Sequence, residues 1–105
     1  MKYRLVYHAN VQADYNEAYH WYENQKEGFG EEFLTAVREK IDQINKYPES
    51  FEIKSVNEYR EATVDTFPYS VIYKVYPRKK EIFVNSIYFY LFSKKTPQSK
   101  YRKLK

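Results

Sequence analysis

Bases and tyrosines able to act on a phosphodiester gather in the second half of the chain. Arg60, Tyr73, Lys74, Tyr88 and Tyr90 fall in strand-like stretches, and Lys94, Lys95, Tyr101 and Arg102 follow them. Bases interleaved with aromatics can hold a phosphate backbone and stack on nucleobases. Lys and Arg can also stabilise charge that develops during phosphodiester cleavage, with Tyr as a proton carrier. The competing reading is structural, because a tyrosine on a half-buried strand commonly just packs. Other chemistries lack their parts. No glycine-rich phosphate loop, GxSxG elbow or metal-spaced His/Asp cluster is present. His8 and His20 lie in different elements, and Glu31 and Glu32, as sequence neighbours, point to different helix faces. With no cysteine, disulfides and thiolate metal sites are excluded. No metal or small-molecule cofactor is therefore expected.

Charge narrows the partners. The net charge is +4, yet residues 94–105 hold six bases and no acid, which leaves the first 93 residues with 12 bases against 14 acids. Such a tail suits an anionic partner, either nucleic acid or an acidic protein segment. Between Asn10 and Tyr47 the balance reverses, with eight acids and four bases. A helix pair built for a DNA groove should be basic, so this region is expected to pack or to face a basic partner. No stretch approaches the roughly 18 apolar residues that cross a bilayer. A soluble, cytoplasmic protein without a membrane partner is expected.

The elements that would position these groups follow from periodicity. The 105 residues fit one domain, with about 94–105 as its basic tail. Tyr3, Leu5 and Tyr7 alternate as in a half-buried strand, and Asn10 is a plausible helix cap. Val11, Tyr15, Ala18 and Tyr22 then recur at helical spacing, with Trp21 widening the stripe, until the pattern fades near Gln25. Gly28-Phe29-Gly30 supplies a turn. A second helix follows on Phe33, Val37, Ile41 and Ile44, favoured at its start by Glu31 and Glu32 and ended by Pro48. After a polar loop anchored by Ile53 and Val56, three strands are predicted: 59–64 with Arg60, Ala62 and Val64 on one side, 70–76, and a long aromatic strand at 82–92. Short loops between these favour an antiparallel meander. The expected architecture is α+β, ordered β-α-α-β-β-β, with the αα-hairpin on one face of an antiparallel sheet of about four strands.

Residues 13–51, ADYNEAYHWYENQKEGFGEEFLTAVREKIDQINKYPESF, resemble the paired helices of the ParE/RelE toxin superfamily, the plasmid-stabilisation type of type II toxin–antitoxin systems. The matching positions are Ala13, Tyr22, Gly28, Gly30, Phe33, Tyr47 and Pro48. A second block, Arg60-Glu61-Ala62 followed by Phe67-Pro68-Tyr69-Ser70-Val71-Ile72-Tyr73-Lys74-Val75, is similar to the family's Arg-containing strand and its Phe-Pro-Tyr segment. The resemblance implies a cognate antitoxin as partner. It also implies a target: DNA gyrase for ParE-type members, or the ribosome and its mRNA for RelE-type members, which cleave without metal. Arg60 matches the sheet arginine, and Lys95 stands for a basic residue near the end of the last strand. Three departures weaken the case for RNA cleavage and leave room for a weakly toxic protein. Ser70 replaces a frequent Arg, Phe92 stands where relatives often carry His, and Lys95 lacks the planar fork of Arg.

The expected function is therefore a ParE-like toxin acting on gyrase rather than an enzyme. The alternatives are a RelE-like mRNA endonuclease using Arg60, Lys94, Lys95 and Tyr101, and a non-toxic antitoxin-binding protein. Target or nucleic-acid contacts are assigned to Arg60, Tyr73, Lys74, Lys95 and Arg102.

Overall fold

A computed structural model describes residues 3–55 and 57–92. The elements run β1 (Arg4–Tyr7), α1 (Val11–Gln25), α2 (Phe29–Lys46), β2 (Arg60–Thr63), β3 (Tyr69–Tyr76) and β4 (Glu81–Phe89), closed by a 3-10 turn at Tyr90–Phe92. This is the expected α+β order. The sheet reads β1-β4-β3-β2, antiparallel from β2 to β4, while β1 lies parallel to β4. The sheet is thus mixed. The αα-hairpin between β1 and the meander carries the chain back before β4 reaches β1, and that crossover permits a parallel pair.

Helix stripes and strand faces meet in one core. Phe33, Val37, Ile41 and Ile44 of α2 and Val11, Ala18 and Tyr22 of α1 pack on Ala62, Val71, Tyr73, Ile82, Val84 and Ile87 of the sheet. Tyr22 makes the aromatic centre, 5.4 Å from Phe33 and 4.9 Å from Phe67 between ring centroids. The opposite sheet face has a smaller cluster of Tyr59, Ile72 and Tyr88, with Phe83 against it. Strict alternation along β4 would put Ile87 on that second face. A register shift prevents this: Ile72 faces Ser86 and Tyr73 faces Val84, so Asn85 is an extra residue. The bulge turns Ile82, Val84 and Ile87 to the same core.

Four local expectations change. Asn10 caps α1 by position only: its side chain makes no capping bond, and its backbone N–H donates to His8 Nδ1 at 3.0 Å. Trp21 does not join the buried stripe, because its neighbour Tyr22 takes the inward position. Ile53 is exposed and forms an isolated bridge to Arg60 rather than anchoring the loop; Val56 lies outside the described residues. The last strand stops at Phe89, since its partner β3 begins at Tyr69 opposite it, and Tyr90 N–H then donates to Pro68 O at 3.2 Å.

Candidate functional site

β1 covers β4 only from Glu81 to Val84. Beyond that point helix α1, not a strand, lies alongside. Asp14 reaches across, and its carboxylate accepts the Ile87 backbone N–H at 3.0 Å. The helix is held there by its own hairpin. The Glu23 carboxylate accepts the N–H groups of Gly28 and Gly30, each at 3.0 Å, and so satisfies the start of α2 from α1. Gly28 sits at φ 87°, where a side chain would be strained. A Cβ on Gly30 would come within 2.7 Å of the Tyr19 ring and 2.9 Å of its carbonyl oxygen. Only glycine allows the two helices to approach so closely.

Between α1 and the last part of β4 this arrangement leaves a half-open groove of about 900 Å³. Ala18, Tyr22, Phe29, Ile87 and Phe89 give it apolar walls, and Tyr69 stacks on Phe89 with centroids 5.1 Å apart. Trp21 and Leu91 stand on its margins with 58% and 64% of their surface exposed. Asp14 and Glu17 make it acidic. Burial pushes the Tyr69 hydroxyl up to about 12, and Tyr22, Glu17 and Asp14 add to the rise. This hydroxyl keeps its proton and can donate, but cannot serve as a base near neutrality. The groove is suited to binding: an apolar floor that prefers an apolar side chain, and carboxylates that prefer a cation beside it.

The residues singled out in the sequence do not converge there. Arg60 and Tyr73 are opposite each other in the β2–β3 register, and both grip the loop after α2. The Arg60 guanidinium donates to Phe51 O at 2.6 Å and Glu49 O at 3.3 Å, while the Tyr73 hydroxyl donates to Pro48 O at 2.8 Å. Tyr73 is fully buried in the core rather than on a contact face. Burial raises its pKa, with Arg60 pulling the other way. Lys74 lies on the second sheet face, its Nζ 5.8 Å from the Tyr59 ring centroid and 5.4 Å from that of Tyr76. Ser70 and Tyr88 are buried, and Tyr90 is exposed in the closing turn. Lys94, Lys95, Tyr101 and Arg102 lie outside the described residues. Among the described residues no group of three or more His, Cys, Asp or Glu could hold a metal ion, and no helix is long and apolar enough to cross a membrane.

Residues 3–87 match the family model described as the ParE toxin of the type II toxin–antitoxin system parDE. The chain belongs to the ParE toxin family. Among solved structures, seven chains are similar. One is the chromosomal ParDE toxin–antitoxin system from P. aeruginosa, 18% identical, with TM-score 0.73 over 84% of this chain and 96% of that one. At that identity the likeness concerns the fold. The search of curated proteins gives no match. Within this ParE domain the family's Arg60 and Tyr73 read as a clamp on the α2–β2 loop. Of the groove residues, Asp14 and Leu91 were not singled out in the sequence, and Trp21 was expected in the buried stripe. One signal was available: Trp21 and Tyr22 are adjacent, about 100° apart on the helix, so they leave α1 on different bearings.

Proposed function

We propose that this ParE-family chain is a growth-arresting toxin that acts on DNA gyrase and is neutralised by a cognate antitoxin seated in the α1–β4 groove. The observation that carries the antitoxin site is the pair Trp21 and Leu91, large apolar side chains exposed on the margins of an apolar groove. Apolar patches of this kind mark interaction surfaces. A helix is the fitting occupant. Strand addition would compete with the Asp14 bond to Ile87 N–H, whereas a helix can lay one apolar stripe in the groove without touching that bond. Bases flanking the stripe would meet Asp14 and Glu17.

Gyrase is favoured by membership in the ParE branch. The ribonuclease reading draws no support from Arg60 and Tyr73, since one Arg60 guanidinium nitrogen and the Tyr73 hydroxyl donate to backbone carbonyls of the α2–β2 loop. The target test is direct. Purified protein added to gyrase should block supercoiling and accumulate cleaved DNA; activity untouched at excess toxin would remove the assignment. New 5′ ends in mRNA after induction would instead support the ribonuclease. Expression that never slows growth, together with a stable partner complex, would indicate a non-toxic antitoxin-binding protein. For the groove, Trp21→Ala combined with Leu91→Ser should weaken the antitoxin complex by about 100-fold, the scale of a lost interface anchor. Thermal stability should change little, because both side chains are exposed.

A further inference from the structure

The other end of the β3–β4 hairpin has the opposite character. Lys74, Arg78, Lys79 and Lys80 place four bases and no acid within the seven residues 74–80. The turn Pro77–Lys80 is exposed throughout and closes with Lys80 N–H donating to Pro77 O at 3.1 Å. Two of the four bases are held over aromatic rings. The Nζ atoms of Lys74 and Lys79 lie 5.4 Å and 5.6 Å from the Tyr76 ring centroid, and Lys74 also lies over Tyr59. Contacts of this type restrain long side chains before any partner arrives, which lowers the entropy lost on binding. Glu81, next to the turn, is engaged by Arg4. Lys80 has φ 54°, a backbone region that favours Gly or Asn. A lysine stands there in spite of its conformation.

We propose that the β3–β4 turn is a docking site for the phosphate backbone of double-stranded DNA. Three observations select that partner. Single strands are held largely by stacking on free aromatic faces; here the Tyr76 ring is engaged by two ammonium groups and Tyr59 is buried. Lysine ammoniums are point charges, suited to a row of phosphates and poor at reading base edges, so binding is independent of sequence. An acidic protein partner would want an apolar anchor at the centre of its contact, and Arg78, Lys79 and Lys80 offer none. The turn lies roughly 23 Å from the groove along β3 at the usual strand rise. Both sites can be filled together, so a toxin held by its antitoxin keeps its grip on DNA.

The test uses the full chain, a labelled mixed-sequence duplex and fluorescence anisotropy across a salt series. The variant Arg78→Gln, Lys79→Gln, Lys80→Asn is compared with a second in which the six bases of residues 94–105 are replaced by Gln. The turn variant should bind at least tenfold more weakly at low salt. Its log–log salt slope should be shallower by about 2.7, the share of three phosphate contacts. Combining the two sets should give the same further loss of slope, which separates turn from tail. Asn suits the backbone at position 80, so the melting temperature should not fall and lost binding cannot be ascribed to unfolding. Wild-type affinity and slope in the turn variant would overturn the proposal. So would tighter binding, lost in the same variant, to single-stranded RNA or to polyglutamate than to the duplex.

Discussion

At one end of the β3–β4 hairpin lies an apolar groove edged by carboxylates, and at the other a turn made of bases. The groove needs four separate parts of the chain: α1, Phe29 at the start of α2, the β2–β3 connection and the end of β4. The turn and the strand end before it form one contiguous stretch, met from elsewhere by the Tyr59 ring under Lys74 and by the Arg4 N–H, which donates to Lys80 O at 2.8 Å. A site assembled by distant packing depends on everything that holds the layers together. A site assembled by neighbours in sequence survives most changes elsewhere. The two ends should therefore respond differently to the same perturbation.

The largest separation is expected from Gly30→Ala. The added methyl has no room against Tyr19, so α1 must shift relative to α2. Overpacking of this kind costs about 1–3 kcal/mol. The thermal midpoint should fall and antitoxin binding should weaken, while duplex binding by the folded protein stays unchanged. Equal loss at both ends would show that the turn, too, depends on the helix layer.

Arg60→Ala comes next. It removes the donor to the carbonyls of Phe51 and Glu49, at a cost of about 1.5 kcal/mol, typical of a charged donor. Chemical denaturation should show that loss. Gyrase inhibition by the folded fraction should remain, and a loss of inhibition without a loss of stability would return Arg60 to the contact surface.

The smallest effect at neutral pH concerns the tyrosines. Tyr15 and Tyr69 are pushed from 10.0 up to about 12, chiefly by burial. The folded state therefore holds these protons more tightly than the unfolded chain. Stability through them is complete below pH 10 and declines as pH rises from 10 towards 12. Circular dichroism melts in alkaline buffer should show the midpoint falling over that window. A midpoint flat to pH 12 would mean that neither hydroxyl is shielded, and that the groove wall at Tyr69 is wetter than its packing indicates.

The same contrast between local and distant assembly governs what could be read beforehand. Both helices were legible because Val11, Ala18 and Tyr22 in α1, and Phe33, Val37, Ile41 and Ile44 in α2, recur at helical spacing, and all seven are buried. The three-strand meander was legible from β-branched and aromatic runs broken by Pro68 and Pro77. The parallel partnership of β1 with β4 was not, because it joins Arg4 to Glu81 and leaves no local trace. The bulge at Asn85 was hidden for a related reason: it is a property of the pair β3–β4 and shows in β4 only as a slip in alternation between Val84 and Ile87. Arg60 and Tyr73 could be placed on their strands from the sequence, but their loop contacts could not, since the carbonyls they bind belong to a loop with no motif. The groove was the least legible part, for its Asp14–Ile87 bond spans 73 positions.

That bond also bears on how this part of the sheet would meet another copy of the chain. The stretch of β4 beyond Val84 is not covered by β1 and is a natural template for another chain's backbone. Asp14 places a charged oxygen on the Ile87 amide, where an incoming strand would otherwise dock. A second molecule adding edge to edge would have to bury that carboxylate or evict it. The same side chain that shapes a seat for a helix thus discourages the sheet from growing into a fibre.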